Sequence, residues 1–107
     1  MKDCIFCKII NKELSADIVF ENDRIIVFKD INPKSPVHLL IVPKKHIPSV
    51  NDIKQDDLQI IGELFFIAKD IATKIGLKEK GYKLIVNVGE GGGQEVFHLH
   101  MHLQGKL

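Results

Sequence analysis

The chain has 107 residues, and its 15 basic against 14 acidic side chains leave a formal charge of +1, so no general field exists for gripping a nucleic-acid duplex or an anionic membrane. Its 45% apolar content suits one hydrophobic core, and a single domain spanning 1–107 is expected. No run reaches the roughly 18 apolar residues of a membrane span, and "MKDCIFCKIINKEL" meets charge too early for a secretory signal, so the cytoplasm is the expected compartment.

From Cys4 to about Asn11 the near-helical spacing of Ile5, Ile9 and Ile10 predicts a short N-terminal helix. The chain's two cysteines, Cys4 and Cys7, are spaced Cys-x-x-Cys, which in a reducing compartment points to a metal clip or a redox pair before a structural disulfide. "DIVFENDRIIVFKDI" gives two β-rich runs around "END", a hairpin signal because Asn22 and Asp23 tolerate turn conformations. "NPKSP" is a loop, and "VHLLIVP" is a strand that ends at Pro43, a poor residue for a central strand because it lacks a donor.

From about Gln55 to Gly76 the period becomes helical, with Leu58, Ile61, Phe65, Ala68, Ala72 and Ile75 on one stripe expected to face the core. Phe66 falls on the opposite side among Gln59, Glu63, Asp70 and Thr73, either a singly exposed aromatic or a self-association contact. "YKLIVNV" predicts a strand, "GEGGG" a flexible loop, and "VFHLHMHLQ" a final strand. The elements define an α+β fold: a five-stranded, mostly antiparallel sheet with one short N-terminal helix and one long helix.

Along the final strand Phe97, Leu99, Met101 and Leu103 alternate with His98, His100 and His102, so one face is apolar and the other is imidazole. Three chemistries compete for such a row: a metal chelate, a histidine nucleophile with helpers, or the polar face of a solvated edge strand. The absence of Lys, Glu or Thr from the row weakens the last. The preceding glycines, Gly89, Gly91, Gly92 and Gly93, allow backbone N–H groups to approach a phosphate, although a floppy hairpin loop fits them equally well in isolation.

The run "GGQEVFHLHMHLQG" resembles the signature of the histidine triad superfamily of nucleotide hydrolases and transferases. "CIFCKIINKELSADIVFENDRIIVFKDINPKSPVHLLIVPKKHI" looks like the N-terminal half of its Hint branch, the purine nucleoside phosphoramidases, so nearly the whole chain is covered. The resemblance implies the histidine triad fold and a hydrolase that cleaves the P–N bond of adenosine or guanosine phosphoramidates through a covalent nucleotidyl-histidine. It makes His100 the nucleophile, His102 the contact to phosphate and leaving group and the candidate for protonating the departing amine, and His38 a residue behind the nucleophile that fixes its tautomer. Activity is then expected to fall as the pH drops through about 6.5, where imidazole protonates.

By the same resemblance the nucleotide-binding residues are Phe6, Ile9, Leu14, Phe28, Asp30 and Ile31, with Asn87, Gly93, Gln94, Glu95 and Val96 on the phosphate side. Asp30 would accept from the ribose hydroxyls. Glu95 departs from the serine of animal members, and because a carboxylate repels phosphate only its backbone N–H is expected to take part. Bacterial-type relatives bind zinc through Cys-x-x-Cys and two histidines, here Cys4, Cys7, His46 and His98, a closed set suited to a structural metal.

Pairing of long helices and edge strands into a homodimer is a further implication. Dinucleoside polyphosphate hydrolysis, nucleotidyl transfer and a non-catalytic nucleotide-binding or interaction module stay open as alternatives. The chain stops five residues after His102, where animal members continue into a tail that helps select the leaving group, so leaving-group preference is left open.

Overall fold

In the computed structural model, which describes residues 3–107, the order is α1 (Ile5–Ile10), β1 (Ile18–Glu21), β2 (Ile25–Lys29), β3 (Val37–Pro43), α2 (Leu58–Lys74), β4 (Lys83–Ile85) and β5 (Met101–Gly105). The strands lie in the order β1-β2-β3-β5-β4, and every neighbouring pair is antiparallel. This is the expected α+β arrangement.

Strand periodicity sorts the sheet's side chains between two layers. Ile25 and Val27 of β2, Leu39 and Ile41 of β3, and Met101 and Leu103 of β5 pack against Ile60, Leu64, Ala68 and Ile71 of α2. The intervening residues Ile26, Phe28, Leu40 and Val42 pack on the other face against Phe6 and Ile9 of α1. Both faces of the central strands are covered, which is why "IIVF" and "LLIV" read as continuous apolar runs without alternation.

The hairpin forms where the "END" signal places it. The Asn22 side chain accepts from the N–H groups of Arg24 (2.9 Å) and Ile25 (2.8 Å), a local substitute for a backbone turn. Pro43 does sit in a central strand, but at its last position. The β3–β5 ladder stops at the Ile41–Met101 pair, two residues before Pro43.

Three expectations need correction. The final strand begins at Met101 and not at Val96, because the ladder ends ahead of Pro43 and Leu99 N–H bonds the Ile47 carbonyl instead, at 2.6 Å. Of "YKLIVNV", only Lys83–Ile85 is strand. The long helix starts at Leu58 after a 3₁₀ turn over Gln55–Asp57, and its buried residues are Ile60, Leu64, Ala68, Ile71 and Ala72. The core-facing side is therefore rotated by about 60° from the predicted stripe, at 100° per residue. Leu58 and Phe65 are exposed and only Ala68 and Ala72 of that stripe are buried.

Candidate functional site

The α1 face of the sheet carries the imidazole row. Alternation beyond the end of β5 still holds, so His98, His100 and His102 point to the side opposite Leu99, Met101 and Leu103, and His98 and His100 are buried. The five histidines divide into two groups there.

His98 meets Cys4, Cys7 and His46. Its Nδ1 lies 3.4 Å from Cys4 Sγ, 3.6 Å from Cys7 Sγ and 3.1 Å from His46 Nδ1, while Cys7 Sγ is 3.4 Å from His46 Nδ1. All four donor atoms fall within 4.8 Å of one another. Tetrahedral zinc bonds would set S–N separations of about 3.5 Å and N–N separations of about 3.3 Å, so the donor set has the size of a metal site. Its chemistry agrees: His98 Nε2 donates to the Pro43 carbonyl at 2.7 Å, which leaves the Nδ1 lone pair facing the cluster. Both cysteines are free thiols. Burial and the neighbouring Cys4 sulfur push the Cys7 thiol up to about 11, and burial pushes His98 down to about 4, so both are neutral unless an ion draws off the thiol proton. A bound ion would join the start of α1 to the loop after β3 and the segment ahead of β5.

His100, His102 and His38 form the second group. Nδ1 of His100 donates to the His98 carbonyl at 2.8 Å, which leaves Nε2 as its lone-pair atom. The Phe6 ring stands edge-on to it at 5.0 Å, closing one side of the imidazole. His38 Nδ1 accepts from Lys34 N–H at 2.9 Å, so a neutral His38 carries its proton on Nε2, and that N–H donates to His102 Nδ1 at 2.9 Å. His102 in turn bears its proton on Nε2. Asp30 Oδ2 lies 3.4 Å from His38 Nε2.

These bonds correct one expectation: His38 holds His102, not His100, and the tautomer of His100 is set by a backbone carbonyl. The register explains it, since His38 lies opposite Gln104 and Leu40 opposite His102, which puts His38 diagonally within reach of His102. Burial holds His100 below its usual value against the opposing pulls of the His98 carbonyl and Asp30. Burial, with His100 and His38 nearby, takes His102 down to about 4, and burial lowers His38 as well.

Around the row, Phe6 packs edge-on against Phe28 at 5.4 Å, and Ile9 joins them in the α1-side cluster, with Val96 against its border. Leu14 and Ile31 stand outside that cluster and are exposed. Asp30 uses Oδ1 to accept from Asn32 N–H at 2.8 Å.

The glycine loop is braced rather than floppy. Gly89 and Gly93 take positive φ, Glu90–Gly92 forms a 3₁₀ turn, and Asn87 Nδ2 donates to the Gly92 carbonyl at 2.9 Å. The buried Gln94 side chain is engaged at both ends: Oε1 accepts from Gly89 N–H (2.8 Å), and Nε2 donates both its hydrogens, to the carbonyls of Pro48 (2.7 Å) and Val96 (3.0 Å). It shapes the loop. Glu95 is exposed and lines a cavity with Cys4 and His46.

Sequence reasoning missed Gln104, whose Nε2 is 3.4 Å from His38 Nε2 and whose position two residues past His102 on the same strand face was the available signal. It also missed the backbone partners at Lys34, Pro43 and His98, which have no side-chain signature.

The family described as "Scavenger mRNA decapping enzyme C-term binding" matches residues 3–106. Purine nucleoside phosphoramidase of Escherichia coli K12 is 45% identical over 104 residues, covering 97% of this chain and 87% of that protein. Among solved structures, a HIT family hydrolase from Legionella pneumophila superposes with a TM-score of 0.96 at 48% identity, covering 98% of this chain and 94% of that one. A HIT family hydrolase from Clostridium thermocellum gives 0.96 at 48%, covering 100% and 93%.

Proposed function

The chain belongs to the family named for the C-terminal region of scavenger decapping enzymes and to the Hint branch of the histidine triad superfamily, and on that footing we propose that it hydrolyses purine nucleoside phosphoramidates through a nucleotidyl-His100 intermediate. One observation carries the mechanism. The Nδ1–H of His100 is committed to the His98 carbonyl, so a neutral His100 offers Nε2, and only Nε2, to an electrophile.

In the first step Nε2 forms a bond to the α-phosphorus while the P–N bond to the amine breaks, and the amine leaves with a proton delivered by His102. Water then attacks phosphorus and yields a proton back to His102, the bond to Nε2 breaks, and nucleoside monophosphate departs with His100 and His102 restored. His102 presents its Nε2–H as a hydrogen-bond donor to the phosphoryl oxygen and the leaving nitrogen. Because His102 is neutral at pH 7 in the free protein, it acts as a full proton donor only after the anionic substrate raises its basicity.

His38 positions His102. Asp30 receives the ribose hydroxyls on its second oxygen. Phe6, Ile9 and Phe28 form the floor under the base and Leu14 and Ile31 its exposed rim. Backbone groups of Gly93, Gln94, Glu95 and Val96, with the Asn87 side chain, hold the phosphate. One domain, 1–107, carries the whole reaction.

The metal at Cys4, Cys7, His46 and His98 is zinc on this reading, favoured by the mixed thiolate and imidazole set at tetrahedral separations. It closes the clip without an open position and takes no part in the chemistry. Two reduced thiols suit the cytoplasm, and no helix is long and apolar enough to cross a membrane.

We further propose a homodimer through α2. Leu58 and Phe65 (52% exposed) stand on the flank of the buried face and Phe66 (58%) stands opposite it, with Ile61 between that flank and the core. Three large exposed apolar side chains on one helix favour a second copy packed there.

The reaction is tested by comparing kcat/KM on an adenosine phosphoramidate and on a dinucleoside polyphosphate under one set of conditions. A preference of at least about 100-fold for the phosphoramidate, some 2.7 kcal/mol of transition-state discrimination, is expected. A preference for the polyphosphate would assign the protein to the other hydrolase class, and no turnover of either would leave a nucleotide-binding module.

A further inference from the structure

The His38–His102 pair rests with one proton shared between two facing ring nitrogens, and the reaction asks it to hold a second. Nδ1 of His38 accepts the Lys34 N–H, so the proton of a neutral His38 is on Nε2 and points at His102 Nδ1, 2.9 Å away. If His102 gave up its Nε2 proton from that state, it would be left an imidazolate. Delivery therefore requires a proton on His102 Nδ1 first. Two N–H groups then face each other across 2.9 Å, and the His38 proton cannot retreat to its own Nδ1, which Lys34 occupies. The charged pair needs an acceptor that the resting pair does not use.

Gln104 supplies it. The residue lies directly opposite His38 in the β3–β5 ladder and two positions past His102, hence on the same face of the sheet, and it is partly buried. Its amide end lies 3.4 Å from His38 Nε2. An amide nitrogen there would set two donors against each other, and the two ends of an amide exchange by a half-turn, so Oε1 is the atom that answers the His38 N–H. The other charged or titratable groups that act on His102 are His100, Asp30 and Lys34, and Lys83 stands opposite Gln104 on β4. The lysines carry no lone pair, and Nε2 of His100 is committed to phosphorus. Asp30 accepts from Asn32 N–H on Oδ1, and its Oδ2 is taken by the ribose once substrate is bound.

We propose that Gln104 is a positioning residue for proton transfer: its Oε1 receives the N–H that His38 can no longer give to His102 once His102 is protonated on Nδ1, and so holds the two-proton form of the pair through both chemical steps. The inference rests on the phosphoramidase reading. The extra proton enters His102 Nδ1 from solvent as the anionic substrate binds. His102 passes its Nε2 proton to the departing amine and keeps the one on Nδ1, which leaves a lone pair on Nε2 for the proton of the attacking water. When nucleoside monophosphate leaves, the extra proton returns to solvent and His38 again donates to His102.

Single-turnover rates on two substrates test this. One is an adenosine phosphoramidate of an alkylamine, whose nitrogen must be protonated to leave, and the other is adenosine 5′-(p-nitrophenyl) phosphate, whose oxygen leaves as a stable anion. Gln104→Leu, similar in size and without an acceptor, should slow amine release by about 10- to 100-fold, the usual cost of removing a group that orients another. Release of p-nitrophenolate should slow far less, so that the ratio of the two rates falls by at least about 10-fold. Gln104→Glu, which restores an acceptor, should recover most of the lost amine rate. It should also move the basic limb of the kcat profile to higher pH, because a carboxylate beside the pair favours its protonated form. Equal slowing on both substrates in Gln104→Leu, as a purely structural role would give, or unslowed amine release would overturn the proposal while leaving the reaction intact. Should Gln104→Leu fail to fold, an unmoved basic limb in Gln104→Glu decides against it. If the unmutated protein turns over neither substrate, the phosphoramidase reading falls and the role of Gln104 with it.

Discussion

At the scale of single residues, the site works by assigning each imidazole one protonation state and one free atom. His100 gives its Nδ1 proton to a carbonyl, His102 receives one from His38, and His98 turns its Nδ1 toward the thiols. None of this was legible in "HLHMH", because tautomers are set by backbone groups that leave no side-chain trace. What the row did reveal was a shared face.

The expected pH dependence also shifts. The folded-state value of His100 lies below the ordinary 6.5, so the neutral form that the proposed attack requires is fully present above 6.5, persists somewhat below it, and is lost only as the pH falls through the lowered value. A kcat/KM profile on the phosphoramidate should therefore show an acid limb with an apparent pKa clearly under 6.5. A limb at or above 6.5 would mean that His100 is solvated in the working enzyme.

At the scale of elements, α1 couples the candidate metal cluster to His100, the proposed nucleophile. Cys4 caps the helix by accepting the Cys7 N–H at 3.3 Å, Phe6 between them leans on His100, and the clip residue His98 supplies the carbonyl that orients His100. Replacing Cys4→Ser together with Cys7→Ser should release the metal, measured by elemental analysis as a fall from about one ion per chain to none. It should lower kcat by about 10- to 100-fold, the usual cost of removing a group that orients another. Metal retained in that variant but lost in His100→Ala would place the ion in the reaction instead.

Element boundaries were legible where side chains alone decide them, as at the Asn22 turn and in the face pattern from His98 to Leu103. They were illegible where a partner decides. The last strand starts late because its neighbour's ladder ends before Pro43. The stripe on α2 was displaced because apolar residues wrap much of the helix, from Ile67 and Ile60 round to Phe65 and Phe66, and a periodicity count finds the middle of that arc rather than its buried half.

At the scale of the whole molecule, that surplus apolar arc is the argument for a second copy. Sedimentation should report a dimer, and Phe65→Glu with Phe66→Glu should give a folded monomer. Leu64→Ala, one position away but buried in the core, should instead lower the unfolding free energy by about 2–5 kcal/mol in chemical denaturation. A monomeric unmutated protein, or a dimer indifferent to both glutamates, would exclude α2 as the interface.

Covalent attachment of the nucleotide to His100 is the step on which the proposed mechanism turns. It is detected by rapid acid or denaturant quenching during turnover of an adenosine phosphoramidate, followed by intact-mass and peptide analysis. A transient gain of one adenylyl group is expected on the peptide that contains His100, absent in His100→Ala, whose turnover falls by at least about 10⁴-fold. An active enzyme with no adduct, an adduct mapped to another residue, or full activity in His100→Ala would contradict it.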